Sequence, residues 1–158
     1  RVIGGKTGQL FAVSCLLGAR AAGGSVAQQS QLKQFGMRIG LAFQIADDIL
    51  DLTETSGKTG KDAANDLSNH RLTLPLLRAL RLSSESEQSR LRDLLTSNNS
   101  ADQARLRDEP LVREGVASAQ ATAEHFVRRA LRNLQSFSAS STLVALEGIA
   151  RFAVQRSE

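Results

Sequence analysis

Three carboxylates and a glutamine stand in an otherwise apolar segment: Gly40, Leu41, Ala42, Phe43, Gln44, Ile45, Ala46, Asp47, Asp48, Ile49, Leu50, Asp51. On a helix at about 100° per residue, with Gln44 at zero, Asp47, Asp48 and Asp51 fall at roughly −60°, +40° and −20°. Phe43, Ile45, Ala46, Ile49 and Leu50 take the opposite arc. One stripe therefore carries all the acid. Like charges one turn apart repel, and a pair about 6 Å apart at an effective dielectric near 20 costs on the order of 3 kcal/mol. A bound cation reverses that sign. Oxygen ligands with no His or Cys nearby suit Mg²⁺ or Ca²⁺ rather than zinc. The competing reading is a solvated helix face, where Asp is ordinarily found. Against it, the three Asp residues interrupt an apolar run rather than a Lys/Glu-rich surface.

Cations flank the stripe. Lys58, Lys61 and Arg71 follow it, and Lys6 precedes it. Taken singly, each of these is a surface residue. Together, carboxylates on one side and Lys or Arg on the other suit a diphosphate bridged by metal. Mg²⁺ takes one or two carboxylates plus phosphate oxygens, and Lys and Arg complete the phosphate shell.

The elements that must position these groups read as helices. Residues 6–19 read as a helix, with Leu10, Val13, Leu16 and Leu17 at helical spacing, and Gly23 and Gly24 punctuate it. Residues 25–52 read as a long helix with a core stripe of Leu32, Phe35, Ile39, Phe43, Ala46 and Leu50. Gly36 and Gly40 lie one turn apart on it, where another helix could approach closely. Residues 53–72 read as a polar loop, and a long loop inside a compact domain is often functional. A short helix is expected from about Thr73, with Pro75 tolerated in its first turn. Further helices are expected over 84–96, 110–134 and 141–155, the last with Leu143, Leu146, Ile149 and Val154 inward. Residues 97–109 read as a polar connection. No convincing period-two strand occurs, and the expected class is all-α, a helical bundle.

Composition narrows the function. The 158 residues suit one domain or part of a larger one, and the 41% hydrophobic content supports a core. The net charge of +4 raises the possibility of nucleic acid, but the arginines are scattered and Trp and Tyr are absent, so base stacking has no platform. Arg128, Arg129 and Arg132 form a small cluster, read as a solvated face with at most weak attraction to an anionic membrane. The single Cys15 excludes an intrachain disulfide, fits a reducing cytoplasm and reads as a small buried hydrophobe. No apolar stretch reaches the ~20 residues that span a bilayer.

The run Phe43-Gln44-Ile45-Ala46-Asp47-Asp48-Ile49-Leu50-Asp51 resembles the second aspartate-rich motif, FQxxDDxxD, of the trans-prenyltransferases (polyprenyl diphosphate synthases). Lys6-Thr7 resembles the family's Lys-Thr pair on an earlier helix, and Gly60-Lys61 its Gly-Lys after the last aspartate. Asp66-Leu67 through Leu72-Thr73-Leu74-Pro75 resembles its D-L-x-x-G-x-x-T-L-P, and residues 123–156 are similar to its closing helix pair. The resemblance implies the isoprenoid synthase fold, with residues 1–158 the carboxyl-terminal part of a single synthase domain. It implies Mg²⁺-dependent head-to-tail condensation of an allylic diphosphate with isopentenyl diphosphate. Metal-assisted departure of diphosphate gives a carbocation, the second substrate's double bond attacks it, and a proton is lost to the diphosphate. By resemblance Asp47 binds Mg²⁺ with Asp48 and Asp51 completing that site, and Asp66 orients metal-bound water. Lys6, Lys61 and Arg71 hold diphosphate, and Thr7 and Gln44 present oxygen dipoles to the cation. A cytoplasmic homodimer is implied, with no nucleic acid partner and at most peripheral membrane contact through a lipophilic product.

The sequence departs from the pattern in three places. His70 replaces the loop motif's usual glycine, and Arg71 stands where Lys or His is common; Arg keeps the charge and adds a fork. The first aspartate-rich motif, DDxx(xx)D followed by an Arg pair, is not found in residues 1–158. The expectation is thus a carboxyl-terminal portion, inactive alone, or a chain completed by another molecule. The alternative is a non-catalytic helical subunit that stabilises or regulates a partner synthase. A terpene cyclase-like relative would share the chemistry, but the Asn and Ser/Thr metal motif expected of it is not found.

Overall fold

The computed structural model describes residues 7–53, 72–97 and 99–155. Among them every regular element is a helix: α1 (Gln9–Ala21), α2 (Val26–Thr53), α3 (Leu74–Leu82), α4 (Glu85–Thr96), α5 (Ser100–Asp108), α6 (Pro110–Leu134) and α7 (Ser141–Gln155). The all-α expectation holds. The 97–109 stretch does not: it contains α5. That helix is very polar and buries only Leu106, so hydrophobic periodicity is silent there. Its end signals are present nonetheless. The Asn99 side chain accepts a hydrogen bond from the Ala101 N–H at 2.9 Å, Asp102 sits in the first turn, and Arg105 and Arg107 in the last.

The chain divides into two compact units, Arg1–Ala46 with Thr122–Glu158, and Asp47–Ala121. The second has a leucine core: Leu52, Leu76, Ala79, Leu91, Leu95, Leu106 and Val112, with Leu80, Leu94, Leu111 and Val116 packed against it. Gly115 of α6 lies so close to α3 that a Cβ there would stand 2.3 Å from the Pro75 carbonyl oxygen. Helix α3 begins as expected, with Thr73 at its cap position and Pro75 in the first turn. Helix α4 begins at a capping box, in which the Glu87 carboxylate accepts from the Ser84 N–H at 2.8 Å and the Ser84 hydroxyl at 2.7 Å. Those two bonds hold the Glu87 carboxyl below its ordinary range.

The first unit is built on small residues. Ala12 and Ala19 of α1, Ala42 of α2, Ala123 and Ala130 of α6 and Ala150 and Ala153 of α7 are all buried. Helix α1 reaches α2 over glycine. A Cβ on Gly36 would lie 2.4 Å from the Phe11 carbonyl oxygen and 2.8 Å from Cys15 Sγ, and one on Gly40 would lie 2.8 Å from Gly8 Cα. Gly36 and Gly40 thus serve the close approach that their one-turn spacing suggested. Farther along, the Ser136 hydroxyl donates to Gln31 Oε1 at 2.9 Å, tying the end of α6 to α2.

Small-residue packing leaves large apolar residues of α1 outside and overturns the core expectation for α7. Leu10, Val13 and Leu17 of α1 are exposed at 67%, 43% and 57%. The buried side of that helix is Ala12 and Ala19, with Gly8 buried at its cap, because a close helix contact selects small side chains over large ones. In α7, Ile149 is exposed and Leu143, Leu146 and Val154 only half-buried, while Ala150 and Ala153 are buried. On α2 the core is Phe35, Ile39, Ala42, Ile45, Ala46, Ile49 and Leu52; Leu32, Phe43 and Leu50 are half-buried. Cys15 is half-buried too, and desolvation raises its thiol pKa, which keeps it a neutral, weak nucleophile.

Candidate active site on α2

Helix α2 carries Gln44, Asp47, Asp48 and Asp51 along its last turns. No residue of 35–52 is exposed. The acidic stripe is therefore not a solvated face. Asp47 and Asp51 are half-buried, and Asp48, only 7% exposed, is the buried charged residue among those described. Withdrawing carboxylates from water costs free energy unless something compensates the charge. Four oxygen-bearing side chains with neither His nor Cys beside them match a hard cation such as Mg²⁺ in donor chemistry. No group of three or more His, Cys, Asp or Glu among the described residues could hold a metal ion.

Within the first unit, Thr7 and Gly8 form a π-helical turn just ahead of α1, a local widening that recurs at functional positions. There the Thr7 hydroxyl donates to Gln44 Oε1 at 2.6 Å, across 37 residues of sequence and in a partly buried setting. The glycine contacts explain why the two meet. A Cβ on Gly40 would stand 3.2 Å from the Thr7 carbonyl oxygen, so only a bare α2 surface lets this turn come close. In this bond the Thr7 hydroxyl proton is committed to Gln44. The Phe11 ring of α1 and the Phe43 ring of α2 also meet, tilted, with centroids 5.9 Å apart.

The structure thus brings Thr7 and Gln44 together and places Asp47, Asp48 and Asp51 on one helix with Gln44. Lys6, Lys61, Asp66 and Arg71 lie outside the described residues, as do Lys58, His70 and most of the 53–72 loop.

Residues 1–109 match the family described as Polyprenyl synthetase. The chain is 38% identical over 95 residues to octaprenyl diphosphate synthase of Haemophilus influenzae, a match covering 60% of this chain and 29% of that one. It is 49% identical over 75 residues to heptaprenyl diphosphate synthase component 2 of Geobacillus stearothermophilus, covering 48% and 23%. Among solved structures, the polyprenyl synthase of Caulobacter crescentus, complexed with calcium and isoprenyl diphosphate, superposes with a TM-score of 0.89 at 34% identity, covering 99% of this chain and 48% of that one. The decaprenyl diphosphate synthase of Rhodobacter capsulatus gives 0.86 at 25% identity, covering 99% and 49%. The chain belongs to the polyprenyl synthetase family, and its helices are those of an isoprenoid synthase. It spans about half the length of the solved relatives.

Proposed function

We propose that this chain is the carboxyl-terminal part of a polyprenyl diphosphate synthase domain, and that the complete enzyme condenses an allylic diphosphate with isopentenyl diphosphate. The observation that carries the reading is the Thr7–Gln44 hydrogen bond on the same helix that withdraws Asp47, Asp48 and Asp51 from solvent. Asp47, with Asp48 and Asp51, would hold Mg²⁺, which when bound would neutralise charge growing on the departing diphosphate. Lys6, Lys61 and Arg71 would bind and orient diphosphate, and Asp66 would support the acidic group from a distance. Thr7 and Gln44 would direct fixed oxygen dipoles at the allylic cation, and such preorganised dipoles stabilise charge without reorganising during the reaction. Phe11 and Phe43 would keep water from it. Alone, the chain would be inactive. The whole enzyme would work in the cytoplasm as a homodimer.

A second reading, a helical subunit that supports a partner synthase, draws on the Geobacillus stearothermophilus relative being named a component of a synthase. One experiment separates the two. Asp47→Ala in the complete enzyme should lower Mg²⁺-dependent condensation at least a hundredfold, read as transfer of labelled isopentenyl diphosphate, with the unfolding midpoint unchanged. Full turnover in that variant would leave Asp47 without a catalytic role and favour the supporting subunit.

A further inference from the structure

Helices α2 and α6 enclose a second polar feature that uses none of the residues assigned above. A groove of about 400 Å³ is lined by Gln34, Arg38, His125, Arg129, Arg132 and Asn133. Neither Asp nor Glu is among the six. The floor is fixed: one Arg38 Nη donates to Asn133 Oδ1 and to the Arg129 carbonyl at 3.3 Å, and the other donates to Gln34 Oε1 at 3.1 Å. These acceptors are all neutral, so they hold the guanidinium in place without cancelling its charge. Burial first, then Arg129 and Arg132, lower the Arg38 pKa, as convergence of three guanidiniums requires.

The rest of the protein shows what surface arginines do by default. Arg90 pairs with Glu109, Arg105 with Asp102, Arg113 with Asp108, and Arg128 with Glu124. Arg128 belongs by sequence to the same cluster as Arg129 and Arg132, yet it turns to a carboxylate. Among the described residues Arg129 and Arg132 do not, and they meet Arg38 instead. Because the amide oxygens of Gln34 and Asn133 already accept from Arg38, their NH₂ groups remain as donors. The lining thus presents donors from at least five side chains. The complementary ligand is compact, multiply negative and rich in acceptor oxygens. A single carboxylate matches this less well than a phosphate, whose oxygens take several guanidinium donors at once.

We propose that the Arg38–Arg129–Arg132 groove binds a phosphate or diphosphate group, either free or as the headgroup of an anionic lipid. The test is calorimetric titration of inorganic diphosphate into the full chain without divalent metal. It compares the unaltered protein, Arg129→Gln/Arg132→Gln, and Lys61→Ala/Arg71→Ala. Arg129 and Arg132 are exposed, so the first variant should keep its circular dichroism and unfolding midpoint. Binding weakened at least about tenfold in the first variant and retained in the second supports a free-anion site. A parallel arm measures co-sedimentation with phosphatidylcholine vesicles with and without phosphatidic acid. Vesicle binding that needs phosphatidic acid and is lost in Arg129→Gln/Arg132→Gln, with no heat from free diphosphate, supports the lipid source. Binding unchanged by Arg129→Gln/Arg132→Gln in both arms, or no binding in either, overturns the proposal.

Discussion

The Thr7–Gln44 contact is the smallest unit with a measurable consequence. The bond is 2.6 Å long and partly buried, and removing one partner of such a bond costs about 1–3 kcal/mol. Thr7→Val, which keeps the side-chain shape, should lower the unfolding free energy of the chain by about 1–2 kcal/mol. Thr7→Ser should recover most of it. Adding Gln44→Leu to Thr7→Val should cost clearly less than the sum of the two, because both remove one bond; additive losses in that double-mutant cycle would mean the contact carries no coupling. Sequence spacing named both residues through the motif resemblance, yet it could not pair them. A bond across 37 residues depends on how two helices dock, and the local pattern around Thr7 holds nothing of that. The reverse held for the arginines: Arg128, Arg129 and Arg132 were visible as a cluster, but the partner that makes a groove of two of them, Arg38, comes from another helix.

At the scale of elements, the two glycines of α2 decide how α1 sits. Any side chain at Gly36 would meet backbone, with the Phe11 carbonyl oxygen 2.4 Å from the new Cβ, and at Gly40 it would meet Gly8 Cα at 2.8 Å. Backbone cannot swing aside as a flexible side chain does. Gly36→Ala and Gly40→Ala should each therefore destabilise the chain by about 1–3 kcal/mol, the usual range for overpacking, despite the better helix propensity of Ala. Gly18, in α1, is the internal control: nothing lies within 4 Å of its Cβ position, so Gly18→Ala should stabilise by up to about 1 kcal/mol. Denaturant unfolding of the three variants checks the opposite signs, and a common sign would dissolve the close-packing argument. Helix existence was legible nearly throughout, because long 3.6-residue periodicity is a strong signal in α2 and α6. It failed at α5, whose stability rests on end capping and one buried leucine. The inward face of α7 failed for a different reason. Leu143, Leu146, Ile149 and Val154 are the large apolar residues expected inward there, whereas Ala150 and Ala153 are the buried ones; on α1, too, alanines are buried while Leu10, Val13 and Leu17 remain outside.

Those outward leucines matter for the molecule as a whole. Leu10, Val13 and Leu17 are spaced three and four residues apart on α1, forming one exposed apolar stripe. A run of large apolar side chains in water is an interaction surface more often than an accident. Its occupant, on the reading proposed here, is the rest of the synthase domain, since relatives sharing nearly all of this chain's structure are about twice its length. On that reading the stripe would be buried in the complete domain and is exposed only in this chain. Leu10→Glu/Leu17→Glu distinguishes the two settings. In the chain alone both positions are exposed, so the unfolding free energy should move by no more than about 0.5 kcal/mol per site. In the complete synthase each leucine would be buried, where full burial contributes about 1.5–3 kcal/mol and an introduced carboxylate adds a desolvation penalty. The unfolding midpoint there should fall sharply, and condensation activity with it. Equal tolerance in the chain and in the complete enzyme would mean that α1 faces water in both and that the remaining half of the domain docks elsewhere.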